Sequence, residues 1–180
     1  MKRTFLLTFA IIICGISASV FTSNASAPPD TPEGRARLKV KEAQLKELRD
    51  YTDSTVLSRS YRFIPNALEQ LPASGRFHFS DPTCDLIVSE DNILATLPYL
   101  AGVVEPYEPV MMEITGPVSD DYTAELKDDN WVISFSSSDI GPVKYKFILT
   151  VSRDGGMSQL EVKSSDYPTV IYYGSFTARY

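Results

Sequence analysis

The chain has 180 residues, with 17 Lys and Arg against 23 Asp and Glu, one His and two Cys. That length holds one domain with an appendage, and 43% hydrophobic residues suffice for a core. A net charge of −6 argues against long-range attraction to nucleic acid or anionic lipid, and so small a His and Cys inventory cannot build a zinc site.

Lys2 and Arg3 precede an apolar run from Phe5 to Ile16, and small residues cluster from Ser23 to Ala27. A basic, then apolar, then small-residue layout is that of a secretory signal peptide. The expected leader is 1–25. Cleavage after Ala25 is preferred to cleavage after Ala27, which would leave Pro28 first. The exported protein is then expected in the periplasm or on the outer surface. An uncleaved anchor is the alternative, since 4–22 approaches the ~20 residues that span a bilayer; its Thr, Ser and Gly content argues against it. Ile13 stands before Cys14, where a lipidation site carries a small residue. Membrane association is expected only if Cys14 is lipidated or the leader stays. Without the leader Cys84 is a single thiol, so no internal disulfide can brace the fold.

The mature chain carries net −8, unevenly: +2 over 33–52 and −9 over 53–180. Residues 26–32 read as a flexible lead-in. Thr31-Pro32-Glu33 then opens a helix over 33–52, with an oxygen-bearing N-cap, Pro at the first helical position and a carboxylate at the positive end of the dipole. Its apolar stripe is narrow, with Leu38, Leu45 and Leu48 flanked by Ala36, Val40 and Ala43. Such a stripe packs against the chain's own domain, plugging one end of it, or docks on a partner.

A β-domain over 53–180 follows. Strands are expected near Leu57–Ile64, Arg76–Phe79, Cys84–Val88, Ile93–Leu97, Val110–Thr115, Tyr122–Lys127, Trp131–Ser136, Val143–Ser152, Ser158–Ser164 and Val170–Ala178. Period-two alternation carries this reading: Trp131, Ile133 and Phe135 share one face, as do Tyr145, Phe147, Leu149 and Val151 opposite Lys144, Lys146, Thr150 and Ser152. Asp128-Asp129-Asn130 and Asp154-Gly155-Gly156 are hairpin turns. Short loops between strands exclude a parallel sheet. The expected fold is mainly β, an antiparallel meander closing into a barrel or a curved sandwich, with one N-terminal helix.

Candidate chemistry is sparse. His78 lies between Phe77 and Phe79; if both rings face the core, the imidazole faces water. Asp154-Gly155-Gly156 lacks the spacing of a phosphate loop, and Asp120-Asp121 and Asp128-Asp129 lack the alternating ligands of a calcium loop. No metal and no cofactor are expected. Cys84 shares a face with Leu86 and Val88 and reads as a small buried hydrophobe. Aromatics are the enriched group, ten Tyr and nine Phe. Tyr99, Tyr107, Tyr172 and Tyr173 are the ligand-lining candidates, with core filling as the competing role. A carboxylate pair for glycoside chemistry meets in space rather than in sequence; Glu105, Glu108 and Glu113 are the acids least readily explained as turn residues.

From Tyr61 onward an ordered set of segments resembles a family of exported Bacteroidota proteins, the domain of unknown function numbered 4251. The segments are Tyr61-Arg62-Phe63, Asp85-Leu86-Ile87-Val88, Leu97-Pro98-Tyr99 with Gly102, Pro106-Tyr107, Asp121-Tyr122 with Glu125-Leu126, Trp131 to Phe135, Tyr145-Lys146-Phe147, Gly155/Gly156, Val162 with Ser164, and Tyr172-Tyr173-Gly174. The chain departs from the family at Leu100-Ala101-Gly102, where an aromatic-Gly pair usually stands, and at Cys84, in place of an aromatic. The resemblance implies a lipocalin-like antiparallel barrel over about 57–180 and no particular activity.

The expected function is therefore a non-enzymatic, exported β-protein that binds a small apolar or amphipathic molecule or an envelope protein. Alternatives are a carboxylate-dependent hydrolase and an assembly module that docks through helix 33–52 on an acidic partner. In the last strand, Val170, Tyr172, Phe176 and Ala178 are expected to face the core, with Gly174 where a neighbour needs space.

Overall fold

The computed structural model describes residues 31–72, 75–101, 108–119, 121–138 and 143–179. They form α1 (Pro32–Leu57), β1 (Ser60–Gln70), β2 (Arg76–His78), β3 (Asp85–Ser89), β4 (Asn92–Ala101), β5 (Glu108–Pro117), β6 (Thr123–Lys127), β7 (Asn130–Ser138), β8 (Lys144–Ser152), β9 (Ser158–Ser164) and β10 (Val170–Ala178). Contacts divide the chain into two compact units, Met1–Leu38 and Lys39–Tyr180. The expected leader, its cleavage zone, Cys14, Tyr107 and Glu105 lie outside the described residues.

Thr31 caps the helix: the Gly34 amide donates to Thr31 Oγ1 at 3.0 Å and the Arg35 amide to the Thr31 carbonyl at 2.9 Å. The helix continues to Leu57 instead of ending near Tyr51, so the first strand begins at Ser60. Tertiary packing overrides the poor helix propensity of this stretch. Thr52, Thr55 and Val56 are buried, and Thr52 Oγ1 donates back to the Leu48 carbonyl at 3.0 Å. Arg59, at φ 51°, ends the run, its amide reaching the Val56 carbonyl at 3.2 Å.

These last helical turns close one end of the sheet. Leu48 packs on Gly155 so tightly that a Cβ there would stand 2.7 Å from Leu48 Cδ2. Arg49 pairs with Asp154 at 2.6 Å. Asp53 accepts from Trp131 Nε1 at 2.7 Å and from Arg153 at 2.8 and 2.5 Å. The Ala178 amide donates to the Tyr51 hydroxyl at 2.9 Å. Of the stripe expected on the helix, Leu45 and Leu48 are half-buried, while Val40 and Ala43 are exposed.

All ten strands join one antiparallel sheet in the order β5-β4-β3-β1-β10-β9-β8-β7-β6, with β2 on β1. Two meanders, β3–β5 and β6–β10, meet at β1. That strand pairs with β3 over its first half, with β2 over its second, and with β10 along its length. Of the two expected forms, barrel or curved sandwich, the structure takes the open one: β5 and β6 are edges. β7 overhangs β6, whose pairing stops at Thr123↔Ser134. The segment leaving β5 turns to that overhang, so the Ser119 amide donates to the Ser136 carbonyl at 3.0 Å and Ser137 Oγ to the Pro117 carbonyl at 2.9 Å. Residues that would carry β5 alongside β6 are engaged elsewhere.

β1 passes through Pro65-Asn66, which reads in sequence as a strand end. It does so by a bulge between Pro65 and Ala67, a place where a strand tolerates Pro. Gly174 of β10 faces this bulge. β10 pairs antiparallel with β9 as expected, and Val170, Tyr172 and Gly174 are buried. Phe176 and Ala178 are only half-buried. Asp128 and Asp129, at φ 49° and 59°, make the two-residue turn between Lys127 and Asn130.

The interior is filled. Tyr61, Phe63, Phe135, Phe147 and Tyr172 are fully buried, together with Leu68, Leu86, Leu97, Ile114, Ile133, Leu149 and Leu160. Phe135 stacks between Tyr122 at 5.8 Å and Phe147 at 5.0 Å. Cys84 is buried with Leu86 and Val88, and burial raises its thiol pKa. His78 is exposed, as expected; Phe77, expected inward, is 41% exposed because β2 is a three-residue flap on β1.

Candidate functional site

The ends of β7, β8 and β9 remote from the α1 contacts, together with the connection leaving β5, hold an open groove of about 530 Å³. Its walls come from four separate stretches: the 117–121 connection after β5, the overhang of β7, the start of β8, and the end of β9 with Ser165. Alternation places Lys144 and Lys146 on the outer face of β8, while Tyr145 between them is buried. Register then aligns Ser136 with Lys146, and Lys146 with Lys163. Lys163 also reaches Glu161 on its own strand at 3.2 Å. Among the described residues, Lys144 and Lys146 have no carboxylate partner.

Asp121 anchors one wall. It accepts from Ser119 Oγ, from the Ser136 amide at 3.0 Å and from Ser136 Oγ at 2.7 Å. The Ser119 and Ser136 hydroxyls hold its carboxyl below the ordinary value, against a smaller opposing effect of partial burial. Asp121 thus serves to clasp the seam between the exit of β5 and the end of β7. Its oxygens are engaged, which leaves the groove's lysines as its open charged groups.

The four tyrosines singled out in sequence do not converge. Tyr172 is a core residue whose hydroxyl donates to the Pro98 carbonyl at 2.8 Å. Tyr173 lies on the opposite face of β10, stacked under Arg76 at 3.8 Å with its hydroxyl 3.3 Å from Glu69 Oε2. Tyr99 packs on Tyr167 at 5.5 Å and lines a smaller cleft with Met111, Met112, Glu113, Val143 and Tyr145. Tyr107 lies outside the described residues. Glu113 is exposed on β5, and Asp85, a buried carboxylate, is matched by Arg62 at 2.7 Å. No group of three or more His, Cys, Asp and Glu among the described residues could hold a metal ion. The groove lysines carried one sequence signal, their outward parity on β8. Nothing in sequence tied them to Ser136 or Lys163, because that proximity is set by strand register.

Comparison with known proteins places this architecture. A crystal structure of a DUF4251 family protein from Bacteroides eggerthii DSM 20697 is similar at a TM-score of 0.59 and 16% identity, over 73% of this chain and 87% of that one. At that identity the likeness concerns the fold. No curated protein matches the chain. Residues 43–176 match the family described as a domain of unknown function (DUF4251), which spans α1 from Ala43 and nearly the whole sheet. The chain belongs to that family.

Proposed function

We propose that this is an exported, non-enzymatic protein of the cell envelope that acts by binding, and that its ligand sits in the groove at the ends of β7, β8 and β9. The groove is what supports this reading, because the filled interior rules out a ligand held inside the sheet. Twelve large side chains are fully buried inside the sheet, so a ligand of any size must be met at the surface. The groove, at about 530 Å³, lies within the ~300–1,000 Å³ usual for small-molecule sites. Export rests on the leader pattern of residues 1–27, and the protein is assigned to the periplasm or the outer surface. Nucleic acid is not a partner on this reading, and no cofactor takes part.

Native mass spectrometry of protein taken from its own envelope tests the binding. A co-purified small molecule that is lost on mutation of the groove supports it, and a ligand retained by groove variants overturns it. N-terminal sequencing of the same material tests export: a first residue of Ser26 or Pro28 is expected, and an intact Met1 refutes cleavage.

A protein partner on α1 is the second reading, favoured by Val40, which is 57% exposed among Lys39, Lys41 and Lys46. An acidic partner fits that face. Replacing Val40 and these three lysines should abolish its capture without changing the melting temperature, since none of the four is buried.

A further inference from the structure

The groove has a charge pattern that the rest of the domain avoids. Residues 53–180 carry nine Lys and Arg against 18 Asp and Glu, and three of the nine line this one site. Elsewhere among the described residues, Arg179 apart, the cations are engaged: Arg62 with Asp85, Lys127 with Glu125, and Arg153 with Asp53 and Asp129. Arg59 and Arg76 lie over tyrosine rings. Within the groove, Lys146 sits directly across from Lys163, a placement in which like charges oppose strand pairing. Glu161 offsets one of these charges, and Asp121 is held by three donors. Among the described residues, Lys144 and Lys146 remain without a carboxylate partner.

We propose that the groove binds a small oxyanion carried on a hydroxylated molecule, such as the carboxylate or phosphate ester of a sugar. This rests on the groove being the binding site. Lys144 and Lys146 receive the anionic group, an arrangement that trades cross-strand repulsion for charge-assisted hydrogen bonds. Ser164 and Ser165 offer hydroxyl donors, Ser164 while accepting from the Asp166 amide, and Ser136, whose proton goes to Asp121, offers an acceptor, which suits a polyol better than an apolar ligand. Tyr145, 6% exposed, supplies the floor.

The test is a titration of the full mature chain with glucuronate, glucose 6-phosphate and glucose at constant ionic strength, followed by backbone amide shifts. Shifts at Ser136, Lys144–Lys146 and Lys163–Ser165 are expected with one or both charged sugars and not with glucose. The response to glucuronate against glucose 6-phosphate separates a carboxylate from a phosphate ligand. Replacing Lys144 and Lys146 together by Ala should raise Kd by about tenfold or more. The double variant should melt at or above the parent temperature, because both side chains are exposed and their removal relieves repulsion, so lost binding is not lost folding. Equal binding of glucose overturns the anion inference while the groove reading stands. No shift with either charged sugar also overturns it. Shifts confined to residues outside the groove overturn both.

Discussion

Gly174→Ala probes the tightest site among the glycines of the described residues. A Cβ at that position would stand 2.1 Å from the Ile64 carbonyl oxygen, 2.7 Å from Pro65 Cα and 2.8 Å from the Ile64 carbonyl carbon. Carbon and oxygen ordinarily keep ~3.3 Å apart even in close sheet contacts, so more than an ångström is missing. All three atoms are backbone, and no rotamer change relieves the clash. β1 and β10 would have to part at the bulge, in the middle of the sheet. Overpacking of this kind costs ~1–3 kcal/mol, occasionally more, and the rigid neighbours place this case at ~3 kcal/mol or above. For a chain of this size that corresponds to a fall in melting temperature of roughly 6–12 °C. Gly75→Ala is the control. Nothing lies within 4 Å of a Cβ there, but its φ of 74° disfavours an L side chain, so a conformational cost of about 1 kcal/mol is expected. Urea and thermal melts of both variants against the parent measure the difference. If Gly174→Ala melts no lower than Gly75→Ala, β1 and β10 do not approach as described, and the bulge argument fails.

Asp53→Asn should destabilise by ~1–3 kcal/mol at neutral pH, since it weakens charge-assisted bonds to Arg153 and one to Trp131. The hydrogen bond from Arg153 is the leading cause that holds Asp53 below its ordinary 3.8. A carboxyl more acidic when folded contributes above its unfolded pKa and loses that contribution as pH falls through the folded one. The gap between parent and variant should therefore narrow in urea melts below pH 3.8; an unchanged gap refutes the assignment. Tyr172→Phe should cost ~1 kcal/mol for the bond to Pro98, whereas Tyr61→Phe should cost less, because the buried Tyr61 hydroxyl meets only the Tyr122 hydroxyl and makes no well-formed bond; equal losses in the two would contradict this. Phe176→Ala, on a half-buried ring 5.2 Å from Tyr61, should cost ~2–3 kcal/mol, less than a fully buried aromatic. Thr177→Ala should stay within ~0.5 kcal/mol; the opposite ranking would invert the register of β10.

What could be read from the sequence tracks how local each cause is. β8 and β10 show because period-two alternation is written within nine residues, and the Asp128-Asp129 turn because only a few residue types accept positive φ there. The helix beyond Tyr51 is hidden by Thr52, Ser54 and Thr55, whose propensity points away from helix until Trp131 and Arg153 arrive from far along the chain. The second half of β1 is hidden by Pro65, which is tolerated only because Gly174 leaves room beside a bulge. The open sheet ends on β5 and β6, and the link from the exit of β5 to β7, through Ser119 and Ser136, is a contact that no strand pattern records. The groove is the least legible part. Its lysines look like an ordinary solvated face until register sets Lys146 beside Lys163.

The two ends of the sheet are built on opposite electrostatic terms, and that contrast is the reason to look for function at one of them. Where α1 meets the strand ends, Arg49 pairs with Asp154, and Arg153 with Asp53 and Asp129. Such pairing locks the helix to the strand ends. At the groove, Asp121 is spent on Ser119 and Ser136 to hold the seam, Glu161 pairs with Lys163, and Lys144 and Lys146 face outward with no carboxylate partner among the described residues. A surplus of acid elsewhere in the domain makes matched partners plentiful, and one residue change could supply one. On the proposed reading, the Lys146–Lys163 repulsion is a small cost to the free protein that a bound anion would offset. On the same reading, the helix contacts hold the fold and the groove is left for a ligand to complete.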